Sequence, residues 1–206
     1  MPKRDLPPHV SLETVAYRAT SYDVPLRPSA NRRSGRWNVA REGAAQYLCL
    51  DSEAPYAEKL RHEDLQTERE AAMYRATLWE LQVNEGFVVD YGTFEKAEAA
   101  GFPPEALVDD DHERCQKEAQ RLVNLGAGGV LGPSAALPGS VNLTLFGPRV
   151  PVKWGAKTAG VASAIPAQRI AEGSPPSRLV DRVRFFGAEH VQLAEHLARR
   201  ERIRRL

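Results

Sequence analysis

The chain has 206 residues, a formal net charge of +1, and 42% hydrophobic and 27% charged residues. This length is enough for one well-buried domain, and the near-neutral charge excludes a global field that would draw the protein to nucleic acid or anionic membranes. The two cysteines, Cys49 and Cys115, form no CxxC pair, which excludes a zinc ribbon, a thioredoxin motif and a disulfide-rich secreted scaffold. The sequence shows no signal peptide and no apolar run of membrane-spanning length, so we expect a cytoplasmic protein with reduced thiols.

The N-terminal part of the chain is predicted to contain an arm, two strands and a long loop. Prolines oppose regular structure near the start, and we expect a loose arm over residues 1–14. Residues 15–19 and 45–50 are mostly apolar and predict two strands, the second of them buried. Between them, residues 20–38 hold prolines, serines and Gly35, a composition typical of a functional loop.

A helix is predicted directly after the second strand. Asp51 or Ser52 can cap its N-terminus, and Pro55 is accepted because it falls in the first turn. Glu58 then lies early in the helix, close to the end of the preceding strand. This position favours a carboxylate that lines a cleft, and an ordinary exposed helix glutamate is the alternative.

The later elements lack the regular strand–helix–strand order of a Rossmann domain. Strands are predicted in the second half of 72–83 and at 87–90, 129–131 and 141–146, helices at 96–100 and 111–125, and irregular structure at 156–178. Apolar residues from Leu179 to Leu197 recur at helical spacing, which predicts a C-terminal helix that Gly187 weakens. Together these patterns predict an α+β fold with several short strands.

Two arginines are candidate ligand-binding residues. Arg36 follows Gly35, which allows a close backbone approach, and its guanidinium offers a fixed fork of donors suited to a pyrophosphate. The alternative is a surface arginine beside a structural tryptophan. Arg18 lies within an apolar strand, where it either faces solvent, pairs with a carboxylate or points into a polar cleft. Arg32 and Arg33 are expected to form a solvated face.

Tyr47 and Glu58 are the candidates for contact with a ligand ring and a reacting centre. Tyr47 lies in the buried strand and either packs in the core or stacks on a ring, a role for which Tyr17, Tyr22 and Tyr56 compete. A carboxylate such as Glu58 can stabilise an oxocarbenium-like centre or activate an attacking oxygen.

Other motifs fail or are weak. Ser134 lies in Gly-Pro-Ser-Ala rather than in a GxSxG nucleophile elbow, so we expect it to form a hydrogen bond in the site or to be a loop serine. His62 begins no HExxH motif, because Gln66 occupies the second histidine position. The acidic run at 109–113 lacks the spacing and the glycine of an EF-hand and is expected to be solvated, so no metal site is predicted.

Four short blocks of sequence occur in a fixed order along the chain. They are YR at 17–18, SGRWN at 34–38, QYLCLDSEAPYAE at 46–58 and GVLGPSAALPGSVNLTLF at 129–146. Together they resemble the RES domain family, named for its arginine, glutamate and serine. The resemblance covers residues 15–154 and departs from the family at Ser34, where a second glycine is usual.

This resemblance implies a compact ADP-ribosyltransferase-like fold with a split, mostly antiparallel β-sheet and flanking helices. It implies a toxin that destroys NAD+ by phosphorolysis or hydrolysis of the nicotinamide–ribose bond, without a metal, and a cognate Xre-like antitoxin. It also divides the chain into an arm at 1–14, a RES domain at 15–154 and a C-terminal extension at 155–206. The extension ends in a basic helix that we expect to pack on the same domain.

The resemblance also assigns roles to individual residues. Arg18 and Arg36 would bind the NAD+ phosphates, Tyr47 would pack on the nicotinamide side, and Glu58 would stabilise the ribosyl cation. Ser134 would line the nicotinamide pocket and Asn142 would support the site. Tyr17, Trp37 and Asn38 are further residues expected to bind NAD+.

Two other functions stay open at this point. One is a mono-ADP-ribosyltransferase that modifies a protein, and the other, through the basic C-terminal end, is a non-catalytic nucleic-acid-binding module. Direct nucleic-acid binding is not the function that we expect, and a homo-oligomer is compatible with the sequence.

Overall fold

A computed structural model describes residues 6–21, 23–158 and 163–205. The first five residues of the predicted arm lie outside the described residues, as do Tyr22, one of the competing tyrosines, and part of the segment predicted as irregular. No helix in the described ranges has both the length and the apolar composition needed to cross a bilayer.

Seven strands are joined in one sheet in the order β1-β2-β5-β4-β3-β7-β6. The strands are β1 (His9–Thr20), β2 (Ala45–Cys49), β3 (Ala76–Asp90), β4 (Gly129–Pro133), β5 (Val141–Phe146), β6 (Val150–Lys153) and β7 (Ala164–Gly173). Because β1 pairs with β3 as well as with β2, the five strands β1, β2, β5, β4 and β3 close into a barrel-like ring.

Most strand pairs are antiparallel, as predicted, and only β3–β4 and β6–β7 are parallel among the pairs described. The predicted split of the sheet is not confirmed. The mixed α+β class is confirmed by the helices that flank the sheet, namely α1 (Ala54–His62), α2 (Glu68–Met73), α3 (Phe94–Ala99), α4 (Glu113–Asn124) and α5 (Val191–Arg204), with short 3-10 helices at Pro104–Leu107 and Val180–Arg182.

Helix α1 positions the candidate carboxylate. It follows β2 directly, and Pro55 stands in its first turn, where a missing N–H costs nothing. The small side chains of Ala54 and Ala57 and the larger Leu60 are completely buried and bring the helix close to the sheet. Complete burial of a leucine stabilises a fold by about 1.5–3 kcal/mol, so this face fixes the orientation of Glu58 on the adjoining face.

Several predicted boundaries are wrong. Strand β1 begins at His9, earlier than expected, and β3 is one strand of 15 residues where two short strands were expected. The segment expected to be irregular contains β7. The helix expected from Leu179 starts only at Val191, because Gly187 adopts a left-handed backbone with φ +77°, which an α-helix does not accommodate.

Candidate active site

Glu58 is held by two residues that are distant from it in sequence. Its Oε1 atom accepts hydrogen bonds from Ser134 Oγ at 3.0 Å and from Asn142 Nδ2 at 2.7 Å. Its side chain is 24% exposed, and its Oε2 atom lies 3.8 Å from His62 Nε2. One carboxylate oxygen is therefore fixed by the protein, while the side chain keeps a solvent-accessible surface for a ligand.

Ser134 is completely buried just after β4 and serves as a support for Glu58. Its hydroxyl oxygen accepts the backbone N–H groups of Ala136 and Leu137 at 3.2 and 3.0 Å while its proton is donated to Glu58. A hydroxyl has one donor and two acceptor positions, so all are in use. This geometry positions the carboxylate, and it leaves no free lone pair on the serine oxygen for attack on a substrate.

Asn142 lies on β5 between β2 and β4, where it is in register with Cys49 and Gly132. Its amide nitrogen donates to Glu58, whereas its Oδ1 atom is the one buried side-chain polar atom without a partner in the part of the chain that the structure describes. An unsatisfied buried acceptor costs about 1–3 kcal/mol, and a ligand that brings a donor would remove that cost.

Tyr47 holds the loop that carries Arg36. Its hydroxyl donates to Asn38 Oδ1 at 2.7 Å and accepts the N–H of Trp37 at 2.9 Å. Burial raises the pKa of Tyr47, which therefore stays neutral. A Cβ atom at Gly35 would lie 2.6 Å from the tyrosine oxygen, so a glycine is required here for the loop to approach the strand.

Trp37 and Asn38 are both buried and held by contacts within the protein. The indole belongs to the main hydrophobic cluster, 6.3 Å from the ring of Phe102. The amide of Asn38 donates to the carbonyl of Arg33 at 3.1 Å while its oxygen accepts from Tyr47. In this arrangement both side chains support the loop, and direct contact with a ligand stays a prediction for them.

The two candidate arginines lie near Tyr47. Arg36 is half-buried and donates to the carbonyl of Ala106 at 3.0 Å, and no carboxylate pairs with it in the described ranges. Arg18 donates to Gln46 Oε1 at 3.3 Å, and both positive charges act on the phenol of Tyr47. Tyr17 is half-buried opposite Cys49, a thiol whose pKa is raised by burial and by the charge of Glu58.

Two histidines that the sequence analysis did not select lie at the same site. Burial and the charges of Arg61 and Lys59 lower the pKa of His62, although Glu58 opposes this shift. Burial, with the charge of Arg36, lowers the pKa of His112 to about 4, so it is neutral at neutral pH. His62 was identifiable, since it stands one helical turn after Glu58. No sequence signal separated His112 from the acidic run around it.

The acidic run was predicted to be solvated, and Asp110 is exposed but also makes ion pairs within the protein. Its carboxylate pairs with Arg61, which is 2% exposed, and with Arg184 at 3.4 Å. Burial alone would raise the pKa of Asp110, but the N–H of Gly187 and these two guanidinium groups lower it. Arg61 also donates to the carbonyls of Ala135 at 3.1 Å and Arg184 at 2.7 Å. A segment of the C-terminal extension is thereby held against the residue that follows Ser134.

The basic C-terminal helix is held to α3 by charged contacts. Both ring nitrogens of the buried His196 face carboxylates, Glu95 at 3.1 Å and Glu98 at 3.0 Å. Arg199 and Arg200 pair with the same two carboxylates at 2.9 Å. A large part of the positive charge near the end of the chain is therefore matched within the protein.

Comparisons with known proteins place the chain in a wider group. A family model described as the RES domain matches residues 10–168. Among solved structures, the chain is similar to a chain in the crystal structure of the M. tuberculosis MbcT–MbcA toxin–antitoxin complex, with a TM-score of 0.61 and 22% sequence identity over 85% of this chain and 91% of that chain. That likeness shows a shared fold. A search of the curated proteins found no match.

Proposed function

The chain belongs to the RES domain family, and from that premise we propose that it is the toxin of a toxin–antitoxin pair and cleaves the nicotinamide–ribose bond of NAD+. The observation that carries the proposal is the carboxylate of Glu58, oriented by Ser134 and Asn142 and still accessible. A fixed carboxylate is suited to a centre that becomes positively charged, because it needs no reorganisation when that charge develops.

The reaction requires mainly that the protein positions the substrate and places a negative charge opposite the ribosyl carbon. The bond between the ribose carbon and the pyridinium nitrogen breaks, both electrons leave with nicotinamide, and nicotinamide departs as a neutral molecule without needing a proton. The ribosyl carbon gains cationic character opposite Glu58. A phosphate or water oxygen then attacks this carbon, and the attacking group loses its proton where it carries one. Within the described ranges no group of three or more His, Cys, Asp or Glu side chains is arranged for a metal.

The arginines would bind the pyrophosphate. Arg36 is half-buried without a carboxylate partner in the described part of the chain, so its charge is available to an anion. Arg18 lies nearby, since both charges act on Tyr47. A hydrogen bond between an arginine and a charged oxygen contributes about 1.5–3 kcal/mol, and two anchors would hold the reacting end of the dinucleotide against Glu58.

Asn142 would recognise the ligand directly. Its unpartnered Oδ1 atom is an acceptor beside the carboxylate, which suits a ribose hydroxyl or the carboxamide of nicotinamide. Tyr47 would contribute its ring, because its hydroxyl is already used by the loop. Tyr17, Trp37 and Asn38 complete the proposed site, the last two by holding the loop.

The partner is proposed to be an Xre-like antitoxin, and both proteins would act in the cytoplasm. The similarity to a chain of a toxin–antitoxin complex supports this partner. We further propose that the closed sheet is a variant of the ADP-ribosyltransferase-like architecture, in which the RES domain spans about 15–154 and the extension to 206 packs on it.

The test is to incubate the purified protein with NAD+, with and without phosphate, and to identify the products. Release of nicotinamide with ADP-ribose-1″-phosphate would identify phosphorolysis, and release with free ADP-ribose would identify hydrolysis. No loss of NAD+ under either condition would overturn the proposal. Added cell extract tests the alternative, because transfer of labelled ADP-ribose to a protein would identify a mono-ADP-ribosyltransferase.

A further inference from the structure

An exposed aromatic ring lies at the rim of the proposed site, in a part of the chain that follows the range matched by the family model. Phe186 is 48% exposed, although it is a large apolar side chain. One contact of its ring is the guanidinium of Arg61, 4.1 Å from the ring centroid. Another is the imidazole of His62, with the two ring centroids 5.9 Å apart. The exposed part of the Phe186 ring is therefore an aromatic patch beside Arg61 and His62.

The backbone around this ring is fixed on both sides. The N–H of Arg184 donates to the carbonyl of Ala136 at 2.8 Å, and the N–H of Gly187 donates to Asp110 Oδ2 at 2.8 Å. Gly187 has a left-handed backbone at φ +77°, which is accessible to glycine at little cost. The chain thus presents Phe186 at one position, and a ring that is held in place loses little conformational entropy when a ligand stacks on it.

The ring is close to the carboxylate through a single intervening side chain. His62 contacts Phe186 with its ring, and its Nε2 atom lies 3.8 Å from Glu58 Oε2. A ligand whose reacting carbon lies at Glu58 can therefore place one of its own planar rings against Phe186.

We propose that Phe186 is a stacking residue for a planar ring of the dinucleotide, and this inference rests on the function proposed above. Aromatic side chains bind heteroaromatic rings by stacking and by burial of apolar surface, with little dependence on the identity of the ring. NAD+ carries two such rings, nicotinamide and adenine, and both share the chemistry that Phe186 offers. The C-terminal extension thereby contributes directly to substrate binding.

The first test is a set of variants that distinguishes the effect of the aromatic ring of Phe186 from the effect of its size. We expect Phe186→Leu and Phe186→Ala to raise the KM for NAD+ by about tenfold with a smaller change in kcat, and Phe186→Tyr to stay near the parent value. Val191→Ala, an exposed apolar position nearby, is the matched control and should change neither constant. Thermal melting of each variant shows whether the effect follows loss of the ring or loss of stability.

Two outcomes would overturn the inference. One is an unchanged KM in Phe186→Leu, and the other is a KM that follows the melting temperature across the series regardless of the ring. Both are separable from failure of the proposed function, because that failure appears as a parent protein that does not consume NAD+.

Competitive inhibition identifies the ring. ADP-ribose carries adenine without nicotinamide, and nicotinamide mononucleotide carries nicotinamide without adenine. A weaker inhibition of Phe186→Leu by ADP-ribose alone assigns the adenine ring, and a weaker inhibition by nicotinamide mononucleotide alone assigns the nicotinamide ring. Unchanged inhibition by both compounds contradicts stacking at this position.

Discussion

The two sides of the site are built in opposite ways. On the carboxylate side, Glu58, Ser134 and Asn142 come from three distant parts of the chain, and the hydrogen bonds act on the functional group itself. On the arginine side, Arg36 belongs to a loop whose hydrogen bonds, made by Tyr47, fix the backbone around it. The difference means that the carboxylate of Glu58 is oriented directly by its neighbours, whereas Arg36 is carried on a loop whose backbone is fixed, with its guanidinium donating to the carbonyl of Ala106.

The largest effect on the comparison is expected from removal of the negative charge of Glu58. Glu58→Gln keeps the size and the acceptor for Ser134 and Asn142, so the fold should be retained. We expect NAD+ turnover to fall at least about 100-fold, because the cationic centre loses its opposing charge. Glu63→Gln, an exposed change at the end of the same helix, is the control. Near-normal turnover in Glu58→Gln would show that the aimed carboxylate is not catalytic.

The arginine side is tested by replacing the planar guanidinium of Arg36 with an ammonium group. Arg36→Lys keeps the positive charge but loses the planar fork, and we expect kcat/KM for NAD+ to fall about 10- to 100-fold. The exposed Arg32→Lys should leave it unchanged. Steady-state kinetics measures both. If the lysine variant works as well as the parent, Arg36 acts as a general charge rather than as a phosphate anchor.

The base of the loop is tested through stability. Tyr47→Phe removes the acceptor for the Trp37 N–H and the donor to Asn38, and we expect a loss of about 2 kcal/mol and a melting temperature lower by about 4–8 °C. Activity should fall with it, since the loop carries Arg36. A stable variant with full activity would mean that the loop is fixed by other contacts. Thermal melting followed by an NAD+ assay gives both values.

The smallest effect is expected from His112, on which the charge of Arg36 acts. The pKa of His112 is lowered from 6.5 to about 4 by burial and by Arg36, so between these values the unfolded chain binds more protons than the folded one. Stability should therefore fall as the pH drops from about 7 to about 5. After allowance for partial exposure, the change is about 1 kcal/mol, or 2–4 °C in melting temperature.

His112→Gln should reduce that fall in stability, because it removes the group that takes up the proton. Melting curves of the parent and the variant at pH 7.5 and 5.0 measure the difference. Identical falls in both proteins would place the pH sensitivity elsewhere, for example at His62 or His190, whose pKa values burial also lowers.

The local parts of the fold were predictable from the sequence, and the long-range parts were not. The apolar pattern of 45–50 and the capping signals before α1 depend on neighbouring residues, so strand and helix were found. The pairing of β1 with β3 depends on a register between segments more than fifty residues apart, which no local pattern contains. Strand β7 was missed because its second half is exposed and Pro166 interrupts its pattern.

The site was predictable only as a set of residues. The resemblance selected Glu58, Ser134 and Asn142 together, and the structure brings them into hydrogen-bonding contact, but their roles relative to one another were not visible. Ser134 was expected to form a hydrogen bond in the site, and the structure identifies Glu58 and the turn that follows as its partners, which the sequence did not specify. No sequence pattern indicated that Phe186 lies at the site, because its position depends on the contact between Gly187 and Asp110.

The edge strand β6 bears on self-association of the protein. Among the strands that the structure describes, only β6 has a single partner, and it is four residues long with Pro151 and Lys153 in it. Proline cannot donate to a further strand, and lysine is costly to bury, so this edge is a poor template for adding another chain. The sheet is therefore poorly suited to the addition of a further strand at β6.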